Sequence, residues 1–236
     1  MSLFAKVQQA GLVTQEKDVL GGTLQTNVYD AKIKVAYLGA AASGAINVTL
    51  EAELTVNGKP RNYRETMYIS NRAGSFTYKS KDGTDEPLPG YALFDSICKA
   101  AIGKSLHELT PELKMVRIKA DAQPEQREVF MELLGQPIKL GISEETVDKT
   151  AKNDSTGKYE PTGETRDENV ISKAFDADGL TSLEREAGKT EPEFMNSWIA
   201  KLAGKKVNKA KGKTVTAGKV AGSATANAGA ALNMFG

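Results

Sequence analysis

Cys98 and His107 are the only cysteine and the only histidine among the 236 residues. One thiol and one imidazole cannot form a disulfide within the chain or a Cys/His zinc cluster. They lie nine residues apart in a stretch that reads as helical. A buried core thiol and a surface imidazole are therefore expected, not a nucleophile and its base. There is no Gly-x-Ser-x-Gly elbow, no Walker phosphate loop and no dinucleotide glycine fingerprint between a strand and a helix. Asp167, Glu168, Asp176 and Asp178 fall close together, but acidic side chains are usually exposed and these read as solvated loop charges. The residue types predict a protein that is not an enzyme and that takes no metal or cofactor.

Binding chemistry is better supplied. Lys32 and Lys34 project from one predicted strand, and Arg64 and Tyr68 from another, all on the polar face. Single-stranded nucleic acid needs that pairing, a cation for phosphate and a ring on which a base stacks, worth about 1–3 kcal/mol per base. Glu51 and Glu53 on the strand between them oppose a wholly basic groove. They also fit a plainer reading, because cross-strand Lys–Glu pairs decorate any solvated sheet. Lys158 and Tyr159 form a basic, aromatic tip in the turn-rich loop NDSTGKYEPTG.

The elements that must position these residues lie in residues 28–79. In 28–38, Tyr29, Ala31, Ile33, Val35 and Tyr37 alternate with Asp30, Lys32 and Lys34. In 45–56 the apolar set is Ile46, Val48, Leu50, Ala52, Leu54 and Val56. Strict period-two alternation predicts strands with one buried and one wet face. Asn57-Gly58 predicts a tight hairpin into residues 61–70, where Tyr63, Met67 and Ile69 face inward. Residues 75–79 add a short fourth strand before Asp82-Gly83. After Pro87 and Pro89, residues 91–102 set Phe94, Ile97, Cys98, Ala101 and Ile102 on one helical stripe, stopped by Gly103.

Further on, residues 113–120 read as a weak strand, 125–134 as a short helix ending at Gly135, and 137–147 as a strand that continues as a polar ribbon. Residues 166–175 form an element of undetermined type. Thr190-Glu191-Pro192-Glu193 reads as a capping box opening a helix with Met195, Trp198 and Leu202 on one side. The predicted fold is mainly β with added helices: a five-stranded antiparallel OB-fold-like barrel with a capping helix and a disordered C-terminal tail. In that fold the strand 2–3 face and two loops form an oligonucleotide groove.

Three regions follow: an N-terminal arm (1–22), a body (23–204) and a tail (205–236). From Lys201 onward there are seven lysines and no acidic side chain, so a formal net charge of +1 leaves −6 on residues 1–200. The tail has almost no large apolar residue before Leu232, too little to offset its chain entropy. Leu232, Met234 and Phe235 close it as a small apolar cluster, either a partner-binding motif or a chance ending. With 40% hydrophobic and 26% charged residues and no apolar run near the ~20 of a membrane helix, a soluble intracellular protein without membrane association is expected.

The runs VYDAKIKVAYLGAAASGAINVTLEAEL, YRETMYISN, PLPGYALFDSICKAAIGKSL and YEPTGETRDENVISKAF resemble the single-stranded DNA-binding proteins of tailed bacteriophages, in the same order over roughly residues 1–200. The resemblance implies an OB-fold core that coats exposed DNA during phage replication and recombination, in the cytoplasm of the infected bacterial host. It maps DNA binding to Lys32, Lys34, Arg64, Tyr68, Arg72, Lys158 and Tyr159. Many such proteins end in an acidic, aromatic-tipped tail, whereas this tail is basic and keeps only the aromatic, Phe235. It would then add DNA affinity or dock a replication, recombination or transcription protein. A phage structural or adaptor protein whose barrel binds protein is the competing expectation.

Overall fold

The computed structural model describes residues 22–118, 121–154, 157 and 159–211. The N-terminal arm up to residue 21, Lys158, Leu232, Met234 and Phe235 lie outside the described residues. As expected, the protein is mainly β with added helices. Strands β1 (Asn27–Ala40), β2 (Ile46–Val56) and β3 (Lys59–Tyr68) form an antiparallel meander. β1 also pairs with β8 (Pro137–Lys152), and β8 with β9 (Tyr159–Phe175). The resulting order, β9-β8-β1-β2-β3, curls until β3 and β9 run alongside each other in the same direction. No backbone ladder joins them among the described residues. Side chains bridge the seam instead: the Glu65 carboxylate accepts from the Ile171 N–H at 2.7 Å, and the Tyr63 hydroxyl lies 3.3 Å from the Asn169 carbonyl.

Asn57 and Gly58 make the β2–β3 turn with φ of 50° and 74°, a conformation that side chains other than Asn and Gly rarely tolerate. Helix α1 (Pro89–Ile102) closes the barrel against β3 and β9, burying Phe94, Ile97 and Cys98. Its entry is tight. A Cβ on Gly90 would lie 2.2 Å from the Tyr68 carbonyl oxygen, so only glycine lets the helix start that close to β3. The barrel interior is filled by Ile33, Val48, Leu50, Leu54, Met67, Leu140, Ile142 and Ile171 around Phe94.

Several expectations change on contact with the fold. β1 does not keep one apolar face along its length. The pairing with β2 slips between Ile33 and Val35, so Lys34 is an inserted bulge residue. Ile33 pairs with Ala52 facing the barrel, whereas Val35 pairs with Glu51 and Tyr37 with Thr49, both facing out. Val35 and Tyr37 thus leave the barrel core and build a second one with Val116, Ile118, Val129 and Met131. That second core lies under a hairpin of β6 (Glu112–Val116) and β7 (Glu125–Val129). The helix expected over 125–134 is therefore β7 followed by a short 3₁₀ turn, Met131–Leu133. Its apolar residues are claimed by two neighbours, Val129 by the outer core and Phe130 and Leu133 by the barrel.

The undetermined stretch 166–175 belongs to β9, and the short fourth strand, β4 (Thr77–Lys79), pairs only with β5 (Asp85–Pro87) in a separate hairpin. The box at Thr190 does not form. Helix α3 (Glu193–Leu202) is preceded by Pro192 without a side-chain cap. Capping boxes form at Ser105/Glu108 and at Thr181/Glu184, the latter opening α2 (Ser182–Glu186). Glu184 also accepts from the Phe194 N–H at 2.7 Å, so a carboxylate from α2 serves the start of α3. Finally, the segment assigned to the tail begins as structure: Lys206–Asn208 is strand β10, parallel to β8.

Candidate nucleic-acid interface

The outer face of β2–β3 is laid out by register. Facing pairs run Glu53–Asn62, Glu51–Arg64, Thr49–Thr66 and Asn47–Tyr68. The β6–β7 hairpin arches over one end of this face and leaves a cleft of about 410 Å3. Lys34, Glu51, Asn62, Arg64, Arg117 and Ile118 line it, with Ala52 and Tyr63.

Arg64 is committed within the protein. Its guanidinium donates to the Tyr37 hydroxyl at 2.7 Å and the Ile118 carbonyl at 2.8 Å, and lies 3.7 Å from Glu51. Tyr37 is only 3% exposed, so Arg64 satisfies a buried hydroxyl and ties the hairpin to β3. Lys34, the bulge residue, lies 3.1 Å from the Glu53 carboxylate and donates to the Asn62 side-chain carbonyl at 2.9 Å. Glu51 and Glu53 thus partner two of the expected DNA-binding cations.

Lys32 faces Glu53 in register, but no side-chain hydrogen bond or ion pair engages it among the described residues. Arg72 is likewise exposed, in the turn after β3. Asn71 holds that turn by accepting from the Ala73 and Ser75 N–H groups, and the Arg72 carbonyl lies beside Gly44 in the β1–β2 loop. Tyr68 stands 52% exposed on the outer face, four residues and about 13 Å of strand from Arg64. Tyr159 is 72% exposed but pairs with Lys152 at the far end of the β8–β9 ribbon. Ten residues separate it from the barrel pairing at Ile142, about 33 Å of strand. The structure therefore brings Lys32, Lys34 and Arg64 together, extends them along β3 to Tyr68 and Arg72, and leaves Tyr159 apart.

Arg117 and Asn62 were not expected at the site. Arg117 sits within the weakly alternating stretch 113–120, and nothing in its spacing marks it. The outer core did leave a signal. Val35-Ala36-Tyr37-Leu38 is four apolar residues in a row, the pattern of a strand buried on both faces.

Charged groups elsewhere have structural uses. Burial pushes the Glu65 carboxyl up, against donation from the Tyr63 hydroxyl and the Ile171 N–H. Burial would raise Glu184 too, but donors at Thr181 and Phe194 prevail and hold it below the usual range. Burial also raises the Cys98 thiol far enough to keep it protonated, while His107 is exposed on a 3₁₀ turn. Among the described residues no group of three His, Cys, Asp or Glu side chains could hold a metal, and no helix is long and apolar enough to cross a membrane. No family model, curated protein or solved structure matches the chain.

Proposed function

We propose that this protein binds single-stranded DNA without catalysis, along the outer face of β2–β3. The observation that carries the proposal is a cleft with cations from three elements, Lys34, Arg64 and Arg117, around polar Asn62, and an exposed ring, Tyr68, about 13 Å from Arg64 along the same face, followed by Arg72. In OB-fold barrels the strand 2–3 face is the one that binds oligonucleotides. Roles divide by what each side chain already holds. Arg117, Lys32 and Arg72 neutralise phosphate, Tyr68 stacks a base, and Arg64 positions the hairpin that walls the cleft. The resemblance to phage proteins extends the proposal to coating DNA exposed during replication and recombination.

The test is anisotropy of a labelled oligo-dT and of a matched duplex, titrated with the full chain over a range of salt. Binding should favour the single strand and fall with a log–log slope of roughly −0.7 per phosphate contact. Equal affinity for duplex, or binding that ignores salt, overturns the proposal. Tyr68→Ala should weaken binding by about 1–3 kcal/mol if its ring stacks a base.

A further inference from the structure

Strand β6 has a neighbour on one side only. It pairs with β7, and its other edge meets no strand among the described residues. Leu113 and Met115 on this edge strand are 63% and 65% exposed, more than any other large hydrophobic side chain on the described strands of the barrel sheet except Tyr159. Leu113 also borders a depression of about 380 Å3 shared with Leu38, Ile46 and Gln126. An open strand edge bearing large apolar side chains is a template for another strand.

We propose that this edge pairs with the same edge of a second copy of the chain, antiparallel about a two-fold axis through Leu113. The charges on β6 select that register. Centred on Leu113, Glu112 of each copy faces Lys114 of the other, and Leu113 faces its own counterpart. Centred on Lys114, two lysines would meet directly, and like charges in facing positions destabilise a strand pair. Centred on Met115, Leu113 would face Arg117. Within one copy Lys114 lies 2.9 Å from Glu112, so the Leu113-centred pair assembles four charges of alternating sign on one face of the sheet and the apolar contact on the other. β6 leads directly into Arg117 and Ile118 at the cleft, so the pairing sets two clefts on one continuous sheet. A single short strand pair makes a small interface, and association is expected at roughly micromolar concentration.

Sedimentation equilibrium of the full chain without nucleic acid tests this independently of any DNA binding. Wild type should move from monomer to dimer as concentration rises. Glu112→Lys alone and Lys114→Glu alone should each weaken association about tenfold or more, by placing like charges opposite each other twice. An equimolar mixture of the two variants should recover the dimer, because each then supplies what the other lacks. Urea midpoints near wild type would show that both variants fold. A wild type that stays monomeric overturns the proposal, as do variants that dimerise like wild type or a mixture that stays monomeric.

Discussion

Replacing Arg64 with methionine should destabilise the protein by about 3 kcal/mol while leaving the barrel strands formed. Methionine keeps much of the side-chain stem and removes only the guanidinium, so the loss can be worked from its three partners. The Tyr37 hydroxyl, almost fully buried, loses its donor, at roughly 1–3 kcal/mol for a buried polar group left unpaired. The Ile118 carbonyl is only partly buried and water can replace the lost bond in part, leaving about 1 kcal/mol. The Glu51 ion pair, at 3.7 Å and solvent-accessible, adds between about 0 and 1 kcal/mol. Urea denaturation of wild type, Arg64→Met, Tyr37→Phe and the double variant isolates the first of these. With the hydroxyl already gone, Arg64→Met should cost about 1–2 kcal/mol less than in wild type. Costs that add to within about 0.5 kcal/mol would refute the assignment of Arg64 as the clamp between β3 and the hairpin.

Other expectations concern the seam, the groove and the helix entry. Glu65 titrates above an ordinary glutamate, so between those two pKa values the native state holds a proton that the unfolded state has released. Its contribution to stability is therefore present at low pH and falls as pH rises through that window. Glu65→Gln should gain on wild type from pH 4 to pH 8, and a stability difference that stays constant across that range would contradict it. Lys32→Glu and Arg72→Glu should each lower the salt slope of oligo-dT binding by roughly 0.7 or more with little change in urea midpoint; unchanged slopes would place the DNA elsewhere. Gly90→Ala should cost about 3 kcal/mol, because the new methyl group would meet the Tyr68 backbone. A thermal scan showing no change would mean the helix start can move aside.

The barrel was readable because its signals are local and repeated. Alternation in β2 and β3, the Asn57-Gly58 turn and the Phe94/Ile97/Cys98 stripe each specify an element and the face it buries. The hairpin over the outer face was harder. Val129, Phe130 and Leu133 have helical spacing, but they are divided between two cores, a tertiary fact with no local signature. The Thr190 box lost to Glu184, a competitor outside the helix it serves. The site was legible in residue type and not in role. The sequence shows Lys34 and Arg64 on the wet face, but only register shows that Glu53 and Glu51 engage them.

The bulge at Lys34 makes β1 a party wall. Before it the strand lines one interior; beyond it, alternate residues line two. Were Lys34 instead paired regularly with Glu51, every later residue would slip by one and present Val35 and Tyr37 to a barrel already filled, while the hairpin lost its floor. The two compartments cannot be tuned separately at this strand. A ligand that braces the hairpin also braces the barrel behind it, so occupancy of the cleft should be visible as a higher melting temperature of the whole body.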